Sequence, residues 1–318
     1  MELREAPDPI PAAGQVRVQV QASGVNFADV ATRLGNYPDA PPFPMVVGYE
    51  VAGVIDAVGE GVDQSRIGQD VLAMTRFGGY SSAVCAPAGA VVPRPAGMSA
   101  EIGAAIPVNY LTAWMMLRVM GRVEAGDRVL IHSAAGGVGL ASIDLCRAAG
   151  AEMWGSSSPG KHAFIQDRGV QHVLDSRSDQ WPDQKVDLIL DAIGGASWGR
   201  GLDHLRAGGR LVCFGLSSGS SGDRPSKWAQ LQAAMAIPWL RTTPVALINN
   251  NQGVLGVNMG HLWDEGDRVT AWLATLLTWW AAGGIKPHVH AAVPFAEAAE
   301  AHRILHRREN IGKVVLVP

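Results

Sequence analysis

Residues 129–139 constrain the fold of this chain more than any other stretch of its sequence. An apolar run leads into small residues and glycines, and apolar residues at helical spacing follow, which predicts a strand, a tight turn and a helix. Ala134, Gly136 and Gly139 occupy the three small-residue positions of a dinucleotide-binding fingerprint. The N–H groups at the start of such a helix attract phosphate, so the turn predicts a nicotinamide dinucleotide site. The predicted cofactor contacts in the turn are Ala135, Gly136, Gly137 and Val138.

The bulk composition excludes several classes of protein. The 318 residues carry a net charge of −3 without a basic run, which argues against a nucleic-acid partner. The three cysteines are scattered and form no CxxC pair, a pattern typical of a reducing compartment. The charged N-terminus does not look like a signal peptide, and no apolar stretch reaches the roughly 18–20 residues of a membrane span. We therefore expect a cytoplasmic protein without a membrane span.

Two different periodicities divide the chain. Residues 1–107 contain period-two alternation, as at 16–20, with frequent proline and glycine, which predicts an all-β module. From about residue 108 strand and helix patterns alternate, which predicts a doubly wound parallel sheet of the Rossmann type over 108–285. The tail, 286–318, ends in an apolar strand that we expect to return to the first module. The predicted strands of the parallel sheet are 128–132, 152–155, 172–175, 186–191 and 210–215, with 243–247 and 254–258 as further candidates; 110–120 and 267–282 are predicted helices, and 215–226 a loop.

Several motifs resemble those of one known family, and they occur in its order along almost the whole chain. They are Ser23-Gly-Val-Asn-Phe-Ala-Asp29, Gly48-Tyr-Glu-Val-Ala-Gly53, Gly59-Glu-Gly-Val62, Tyr110-Leu-Thr-Ala-Trp114, the glycine-rich turn, Asp191-Ala-Ile-Gly-Gly195 and Ala207-Gly-Gly-Arg-Leu211. They resemble the medium-chain dehydrogenase/reductase superfamily, on its zinc-independent quinone oxidoreductase branch. Within that branch, 109–117 and 285–288 are most similar to the synaptic vesicle membrane protein VAT-1 group, and 158–161 is similar to enoyl reductase domains of polyketide synthases. The resemblance implies a Rossmann domain together with a GroES-like β-barrel domain.

Residues after the second predicted strand favour NADPH over NADH. An NAD site usually has Asp or Glu about 20 residues past the first small residue of the fingerprint, bound to the ribose 2′-OH. Here that position falls at 155–158, which holds no carboxylate. Ser156, Ser157 and Lys161 can instead donate hydrogen bonds and charge to a 2′-phosphate, although the serines can equally cap the next helix. Family members often contact this phosphate with a tyrosine where this chain has Ser176, so the resemblance implies a weakened or replaced contact there.

The metal ligands of the zinc-dependent branch are missing from the sequence. The resemblance places Asn26 and Tyr49 where zinc enzymes have Cys and His, and the four-cysteine lobe is absent. His288 and His290 lack a third ligand, so we expect no metal site. Without zinc, an acceptor that spreads the new negative charge is easier to reduce, which favours quinones and α,β-unsaturated carbonyls over isolated ketones.

Two residues of the first module are candidate catalytic groups. Asn26 follows the first strand, where the superfamily places substrate and nicotinamide contacts, and its amide can hold the nicotinamide ribose or the acceptor oxygen. The alternative is a helix cap, because Asn26 and Asp29 have capping-box spacing, and one residue can serve both purposes. Tyr37 can donate its phenol proton to a developing enolate, or it can simply anchor a turn.

Further cofactor contacts are expected at the ends of later strands. Phe214 and Gly215 end the last clear strand of the parallel set, where ligands collect. By resemblance, Thr112 lies beneath the nicotinamide, and Val257 with Asn258 lies beside it. The alternatives are a threonine bonded to its own helix and an edge strand that pairs across a dimer.

Other notable side chains are predicted to have structural roles. Trp272, Leu276 and Trp279 have helical spacing, which predicts core packing, whereas an exposed patch of such rings would indicate an interaction surface. Lys313 is predicted to be a solvated strand residue, and His132 to be a packing residue.

These observations predict an NADPH-dependent, zinc-free reductase that transfers hydride to a quinone or an α,β-unsaturated carbonyl. Two alternatives remain open. One is a trans-acting reductase of enoyl thioesters, and the other is a VAT-1-like NADPH-binding interaction protein with little turnover. The expected partners are a small conjugated carbonyl substrate and a second copy of the chain, in a homodimer.

Overall fold

The structure is a computed structural model that describes residues 1–37, 39–178, 180–217 and 242–318. Most of the predicted 215–226 loop, and with it Trp228 and Trp239, lies outside the described residues. The chain divides into two compact units, one formed by Met1–Leu111 with Met259–Pro318 and the other by Thr112–Asn258. The sequence predicted a domain inserted in this way, but with its boundaries at 107 and 285.

The secondary structure alternates as the sequence patterns indicate. The strands are β1 (Gln15–Val25), β2 (Glu50–Val58), β3 (Asp70–Met74), β4 (Ala83–Pro87), β5 (Val91–Pro93), β6 (Arg128–His132), β7 (Glu152–Ser157), β8 (His172–Asp175), β9 (Val186–Asp191), β10 (Leu205–Cys213), β11 (Gly253–Gly256), β12 (Val289–Pro294) and β13 (Lys313–Val317). The described α-helices are α1 (Phe27–Arg33), α2 (Ala100–Gly103), α3 (Pro107–Trp114), α4 (Gly137–Ala149), α5 (His162–Asp167), α6 (Ala196–His204), α7 (Pro244–Asn250), α8 (Gly266–Ala281) and α9 (Ala298–His306). The predicted helix at 110–120 is α-helical only to Trp114 and continues as a π-helical turn, Met115–Met120.

The first unit contains a seven-stranded sheet in the order β12-β13-β1-β2-β3-β5, with β4 also paired to β1. The tail strand β13 pairs antiparallel with β1, so the predicted return of the tail to the first module is confirmed. Strands β1 to β5 contribute alternate side chains to one apolar core, as period-two patterning requires. The buried members of that core are Val16, Val18, Val20, Val51, Ile55, Val71, Ala73, Val84, Ala86 and Val91. Five strands that share one core are the arrangement expected of the GroES-like domain.

The second unit contains a six-stranded parallel sheet in the order β11-β10-β9-β6-β7-β8. The chain starts at β6, moves outward to β8, and then returns to the other side of β6 with β9. This is the doubly wound Rossmann order, with its switch point between β6 and β9. Every residue of β9 is buried, as expected for a parallel strand covered on both faces.

Two predictions about the C-terminal part differ from the structure. The predicted strand at 243–247 is wrong, because these residues begin α7: the Thr243 hydroxyl accepts the N–H of Ala246 at 3.2 Å, and Pro244 follows the cap. The domain boundary differs because α8 packs in the first unit against β5 and the turn at Ala88–Ala90. Thr270 in α8 donates its hydroxyl to the carbonyl of Gly89 at 3.0 Å.

The predicted core packing of α8 holds for Leu276 and only in part for the tryptophans. Leu276 is fully buried, and Trp272 and Trp279 are half-buried, with the Arg268 guanidinium 4.8 Å from the centre of the Trp272 ring. Among the residues that the structure describes, no tryptophan is exposed. In the same part of the chain, no helix is both long enough and apolar enough to cross a bilayer.

Candidate functional site

The carboxyl edge of the parallel sheet gathers most of the predicted cofactor residues. In a parallel sheet the residues that follow each strand all lie at one edge, and ligands bind there, outside the switch point. The predicted residues that end or follow β6, β7, β8, β10 and β11 are Ala135, Gly136, Gly137, Val138, Ser156, Ser157, Lys161, Ser176, Phe214, Gly215, Val257 and Asn258. Thr112 is buried in α3, and its role in cofactor binding stays a prediction.

The glycine-rich turn between β6 and α4 has the shape that a pyrophosphate requires. Gly136 occupies the cap position of α4, so no side chain covers the first N–H groups of the helix. A Cβ at Gly139 would lie 2.4 Å from the carbonyl oxygen of Ser133, so only glycine lets the helix start this close to the strand. The uncapped helix start and the close backbone approach fit a dinucleotide phosphate.

The residues predicted to bind a 2′-phosphate lie close together. Ser156 and Ser157 end β7 and are buried, and the carbonyl of Ser156 accepts the N–H of Ala134 in the glycine-rich turn at 3.0 Å. Ser176, which is exposed, donates its N–H to the carbonyl of Ser157 at 2.9 Å. Lys161 ends the short 3₁₀ turn that follows β7. The structure therefore brings residues from two neighbouring strand ends to one place.

The neighbouring strand β8 places one carboxylate beside these serines, outside the 155–158 stretch that holds none. Asp175 pairs with Ser157 across the sheet. Its Oδ1 accepts the N–H of Arg177 at 2.9 Å, which ties one of the two carboxylate oxygens to the turn after β8.

Two polar residues at the switch point, Asp191 and Ser197, were not among the residues predicted from the sequence. Asp191, at the end of β9, is fully buried and accepts the N–H groups of Ile193 and Gly194 at 2.7 and 2.9 Å and the hydroxyl of Ser197 at 2.6 Å. The available signal was an acidic residue that ends an apolar run and precedes two glycines. The Asp191 carboxylate fixes the loop after β9 at the edge where a dinucleotide binds.

His132 packs as predicted. It ends β6, and its ring contacts Trp181 edge-on with a centroid distance of 5.3 Å. Both ring nitrogens are buried without a hydrogen-bond partner, and burial lowers the pKa of the imidazole. The ring is therefore neutral at pH 7.

The loops after β10 and β11 also have close backbone contacts. A Cβ at Gly215 would lie 2.7 Å from the carbonyl oxygen of Ala192, so glycine is required there too. Val257 donates its N–H to the carbonyl of Cys213 at 3.0 Å, which ties the end of β11 to that of β10. Asn258 is exposed. Their contacts with a nicotinamide stay predictions.

In the first unit, Asn26 belongs to a buried ionic network that the sequence did not indicate. Its amide nitrogen donates to Glu50 Oε1 at 2.9 Å, and its amide oxygen accepts from Lys313 Nζ at 2.6 Å. Lys313 also pairs with Glu50, and the two side chains are 3% and 0% exposed. The prediction of a solvated Lys313 is wrong, because its ammonium reaches a carboxylate on β2, two strands away in the sheet. The signal that was missed is Glu50 itself, a lone acid inside an apolar motif.

Asn26 also starts α1, as the capping alternative predicted. Asp29 accepts the Asn26 N–H at 2.8 Å, as in a capping box, while the Asn26 amide turns to Lys313 and Glu50. Asp29 Oδ1 accepts the N–H of Gly48 at 3.0 Å, and Oδ2 accepts the Tyr80 hydroxyl at 3.2 Å. Burial raises the pKa of Asp29 to about 7.

A histidine from the C-terminal helix completes this network. The Tyr80 oxygen lies 3.2 Å from His302 Nε2, and burial lowers the pKa of His302 to about 3. Because Tyr80 donates to Asp29, it must accept from His302, so the neutral imidazole carries its proton on Nε2. His302 Nδ1 is then an unprotonated, buried atom without a partner.

Tyr37 belongs to a cluster of aromatic rings in the first unit. It is half-buried, and the centroid of its ring lies 6.0 Å from the centroid of the Tyr49 ring, at an interplanar angle of 68°. The ring centroids of Tyr49 and Phe77 are 5.1 Å apart. Asn26 and Tyr37 are thus both in the first unit, and their catalytic roles stay predictions.

Within the described ranges, no three His, Cys, Asp or Glu side chains come together in a group that could hold a metal ion.

Comparison with known proteins matches both units to established families. The alcohol dehydrogenase GroES-like domain matches residues 12–101, and the zinc-binding dehydrogenase family matches residues 168–316. The human synaptic vesicle membrane protein VAT-1 homolog is 34% identical over 329 residues, which cover 100% of this chain and 82% of that protein.

Two solved structures share the fold over nearly their whole length. The quinone oxidoreductase from Thermus thermophilus, solved also in complex with NADPH, has a TM-score of 0.81 and 32% identity, covering 100% of this chain and 96% of that chain. The CurK enoyl reductase has a TM-score of 0.81 and 29% identity, and the match covers 99% of this chain and 94% of that chain. With the Rossmann and GroES-like architecture and the full-length similarity to VAT-1 homologues, this chain belongs to the medium-chain dehydrogenase/reductase family.

Proposed function

We propose that this oxidoreductase uses NADPH to reduce a quinone or an α,β-unsaturated carbonyl without zinc. The observation that carries the proposal is the uncapped start of α4 beside the buried serines that end β7. Two structural neighbours, a quinone oxidoreductase solved with NADPH and an enoyl reductase, support reduction of a conjugated acceptor by NADPH.

NADPH bound at this edge would supply a hydride, and the residues of the chain have separate tasks. Ala135, Gly136, Gly137 and Val138 would border the pyrophosphate, with the N–H groups of Gly137 and Val138 at the helix start as donors, since the Gly136 N–H already donates to the carbonyl of Ser133 at 2.9 Å. Ser156, Ser157, Lys161 and Ser176 would surround the 2′-phosphate, and Thr112, Phe214, Gly215, Val257 and Asn258 would border the nicotinamide half. Tyr37 would give a proton to the substrate, whose new negative charge is delocalised and needs no metal ion.

The contacts of Asn26 favour one of its two predicted site roles, a contact with the nicotinamide ribose, over the other, a contact with the acceptor oxygen. Its amide N–H groups face Glu50 and the carbonyl of Gly24, whereas its oxygen has one bond, from Lys313, and can accept another. An acceptor suits a ribose hydroxyl and cannot stabilise an anionic substrate oxygen. We therefore propose that Asn26 holds the nicotinamide ribose.

Loss of NADPH absorbance in a stopped-flow instrument tests the function. We expect turnover with a 1,4-naphthoquinone or with an acyclic enone, and none with a saturated ketone of the same size, because only conjugated acceptors delocalise the charge. A protein that binds NADPH but turns over no acceptor would contradict the proposal.

Crotonyl thioesters distinguish the closest enzymatic alternative. A trans-acting enoyl reductase would reduce the thioester but not the quinone. The interaction-protein alternative predicts tight NADPH binding without turnover. An exposed patch of tryptophan rings would have added weight to it, and the tryptophans that the structure describes are buried or half-buried.

Replacing Lys161 with alanine tests the preference for NADPH. Loss of a charge-assisted hydrogen bond to the 2′-phosphate costs about 1.5–3 kcal/mol, so the Kd for NADPH should rise by about one to two orders of magnitude. Because NADH has no such phosphate, its Kd should not change. Calorimetric titration of Lys161→Ala with both nucleotides measures this, and an equal loss for both would remove Lys161 from the 2′-phosphate site.

We also propose a homodimer that forms through the edge of the parallel sheet. Among the described strands β11 pairs only with β10, and Val245 and Ile248 on the neighbouring α7 are 64% and 71% exposed. Val245→Asp/Ile248→Asp should convert a dimer into a monomer in sedimentation velocity, because it places charges in an apolar contact. Ile67→Asp, at an exposed site of the first unit, is the control and should leave the mass unchanged. A monomeric parent protein would contradict the proposal.

A further inference from the structure

The hydroxyl of Tyr49 is a buried polar group without a hydrogen-bond partner. The side chain is 6% exposed, and its oxygen has no contact with solvent. An unsatisfied buried hydroxyl costs about 1–3 kcal/mol of stability. Phenylalanine would fill the same space without this cost, so the hydroxyl needs an explanation other than packing.

The backbone at Tyr49 is held rigidly on both sides. Gly48 has a positive φ of 106°, which favours glycine, and its N–H is bound by the Asp29 carboxylate. The carbonyl of Gly48 accepts the Thr75 hydroxyl at 2.9 Å, and that of Tyr49 accepts the Thr75 N–H at 2.8 Å. Phe77 packs against the Tyr49 ring. The phenol is therefore fixed in place before any ligand arrives.

Tyr37 is the neighbouring side chain with which the Tyr49 hydroxyl can interact. The two rings meet nearly edge to face. Burial is the main cause of the raised pKa of Tyr49, and the negative charges of ionised Tyr37 and of Asp29 add to the rise. Tyr49 thus remains protonated and able to donate.

We propose that Tyr49 is a positioning residue that orients Tyr37 and donates a hydrogen bond to its oxygen when Tyr37 gives up its proton. The inference rests on the proposed function, in which Tyr37 is the proton donor. The Tyr37 O–H bond breaks, the proton passes to the reduced substrate anion, and the phenolate left on Tyr37 is stabilised by the Tyr49 hydroxyl until solvent returns a proton. No oxidant or further reactant is needed.

The test compares Tyr49→Phe with the parent protein. A hydrogen bond to a charged oxygen is worth about 1.5 kcal/mol or more, so kcat should fall about tenfold, with the KM for NADPH unchanged. The alkaline limb of the kcat profile should move up by about one pH unit, because the Tyr37 phenolate is less stable without the bond. The melting temperature should not fall, since only an unsatisfied hydroxyl is removed. Tyr110→Phe, which removes another buried hydroxyl of the same unit, is the control and should leave the profile in place.

Tyr37→Phe separates failure of this inference from failure of the proposed function. If Tyr37→Phe lowers kcat while Tyr49→Phe leaves the pH profile unchanged, the role of Tyr49 is overturned and the proposed function stands. If Tyr37→Phe has no effect on kcat, both tyrosine roles are overturned and the reductase activity stands. If no acceptor is reduced, the ionisation of Tyr37 can be followed by tyrosinate absorbance at alkaline pH, as the absorbance step that is missing from Tyr37→Phe. In Tyr49→Phe this step should occur about one pH unit higher than in the parent protein. A step at the same pH would overturn the interaction between the two tyrosines.

Discussion

Replacing Lys313 with methionine is expected to lower the free energy of unfolding by about 3–5 kcal/mol. The ammonium of Lys313 is the cation that pairs with Glu50, and both side chains are buried. Glu50 Oε2 also accepts the N–H of Val108 at 2.7 Å, so the carboxylate cannot turn toward solvent. Without Lys313 the Glu50 charge stays buried and uncompensated, which is far more costly than the loss of the attraction itself.

The double variant Lys313→Met/Glu50→Gln shows whether charge is the cause. Glutamine keeps the shape and an acceptor for Val108 but carries no charge, so we expect the double variant to recover most of the lost stability. Arg4→Met, which breaks the exposed pair of Arg4 with Glu2, is the control and should change stability by less than about 1 kcal/mol. Urea unfolding measures all three. If the double variant is no more stable than Lys313→Met, packing and not charge explains the loss.

Asp29→Asn and His302→Gln are expected to change the slope of the free energy of unfolding against pH in opposite directions. The pKa of Asp29 is about 7 in the folded chain against an ordinary value of 3.8, so the folded state binds more protons between these values. Its contribution to stability therefore falls by about 4 kcal/mol as the pH rises from about 4 to about 7. The pKa of His302 is about 3 in the folded chain against an ordinary value of 6.5, so its contribution rises by about 5 kcal/mol as the pH rises from about 3 to 6.5.

The two contributions nearly cancel in the parent protein, and each variant removes one of them. Relative to the parent, the stability of Asp29→Asn should increase more steeply with rising pH, whereas that of His302→Gln should decrease. Urea unfolding at several pH values from 4 to 7 provides the slopes. Asp264→Asn, at an exposed position, is the control and should run parallel to the parent. Parallel profiles for all three variants would mean that neither buried group titrates as described.

The Rossmann unit could be predicted closely because its signals are local. The strands at 128–132, 172–175 and 186–191 have the bounds that the sequence patterns indicated. Each is a short apolar run that ends in a turn, and the glycine-rich turn needs only neighbouring residues to define it. The strand predicted at 243–247 failed because Thr243 and Pro244 form a helix start, which outweighs the β-branched composition of the run.

The polar network of the first unit could not be predicted in the same way. Asn26 and Asp29 were recognisable as a capping pair because they are three residues apart. Lys313 and Glu50 are 263 residues apart in sequence, and Tyr80 and His302 are 222 apart. A charged residue in an apolar strand looks the same whether it faces water or a buried partner, so no single-sequence pattern could reveal these pairs.

By itself, the sequence determined the order of most strands and helices, the two kinds of domain and the cofactor turn, because periodicity, glycine placement and helix starts are properties of neighbouring residues. The tertiary structure alone decided that α8 packs with the first unit, that Lys313 is buried against Glu50 and that the rings of Tyr37 and Tyr49 meet. These features depend on contacts between segments distant in the chain, which form only when the sheets assemble and exclude water.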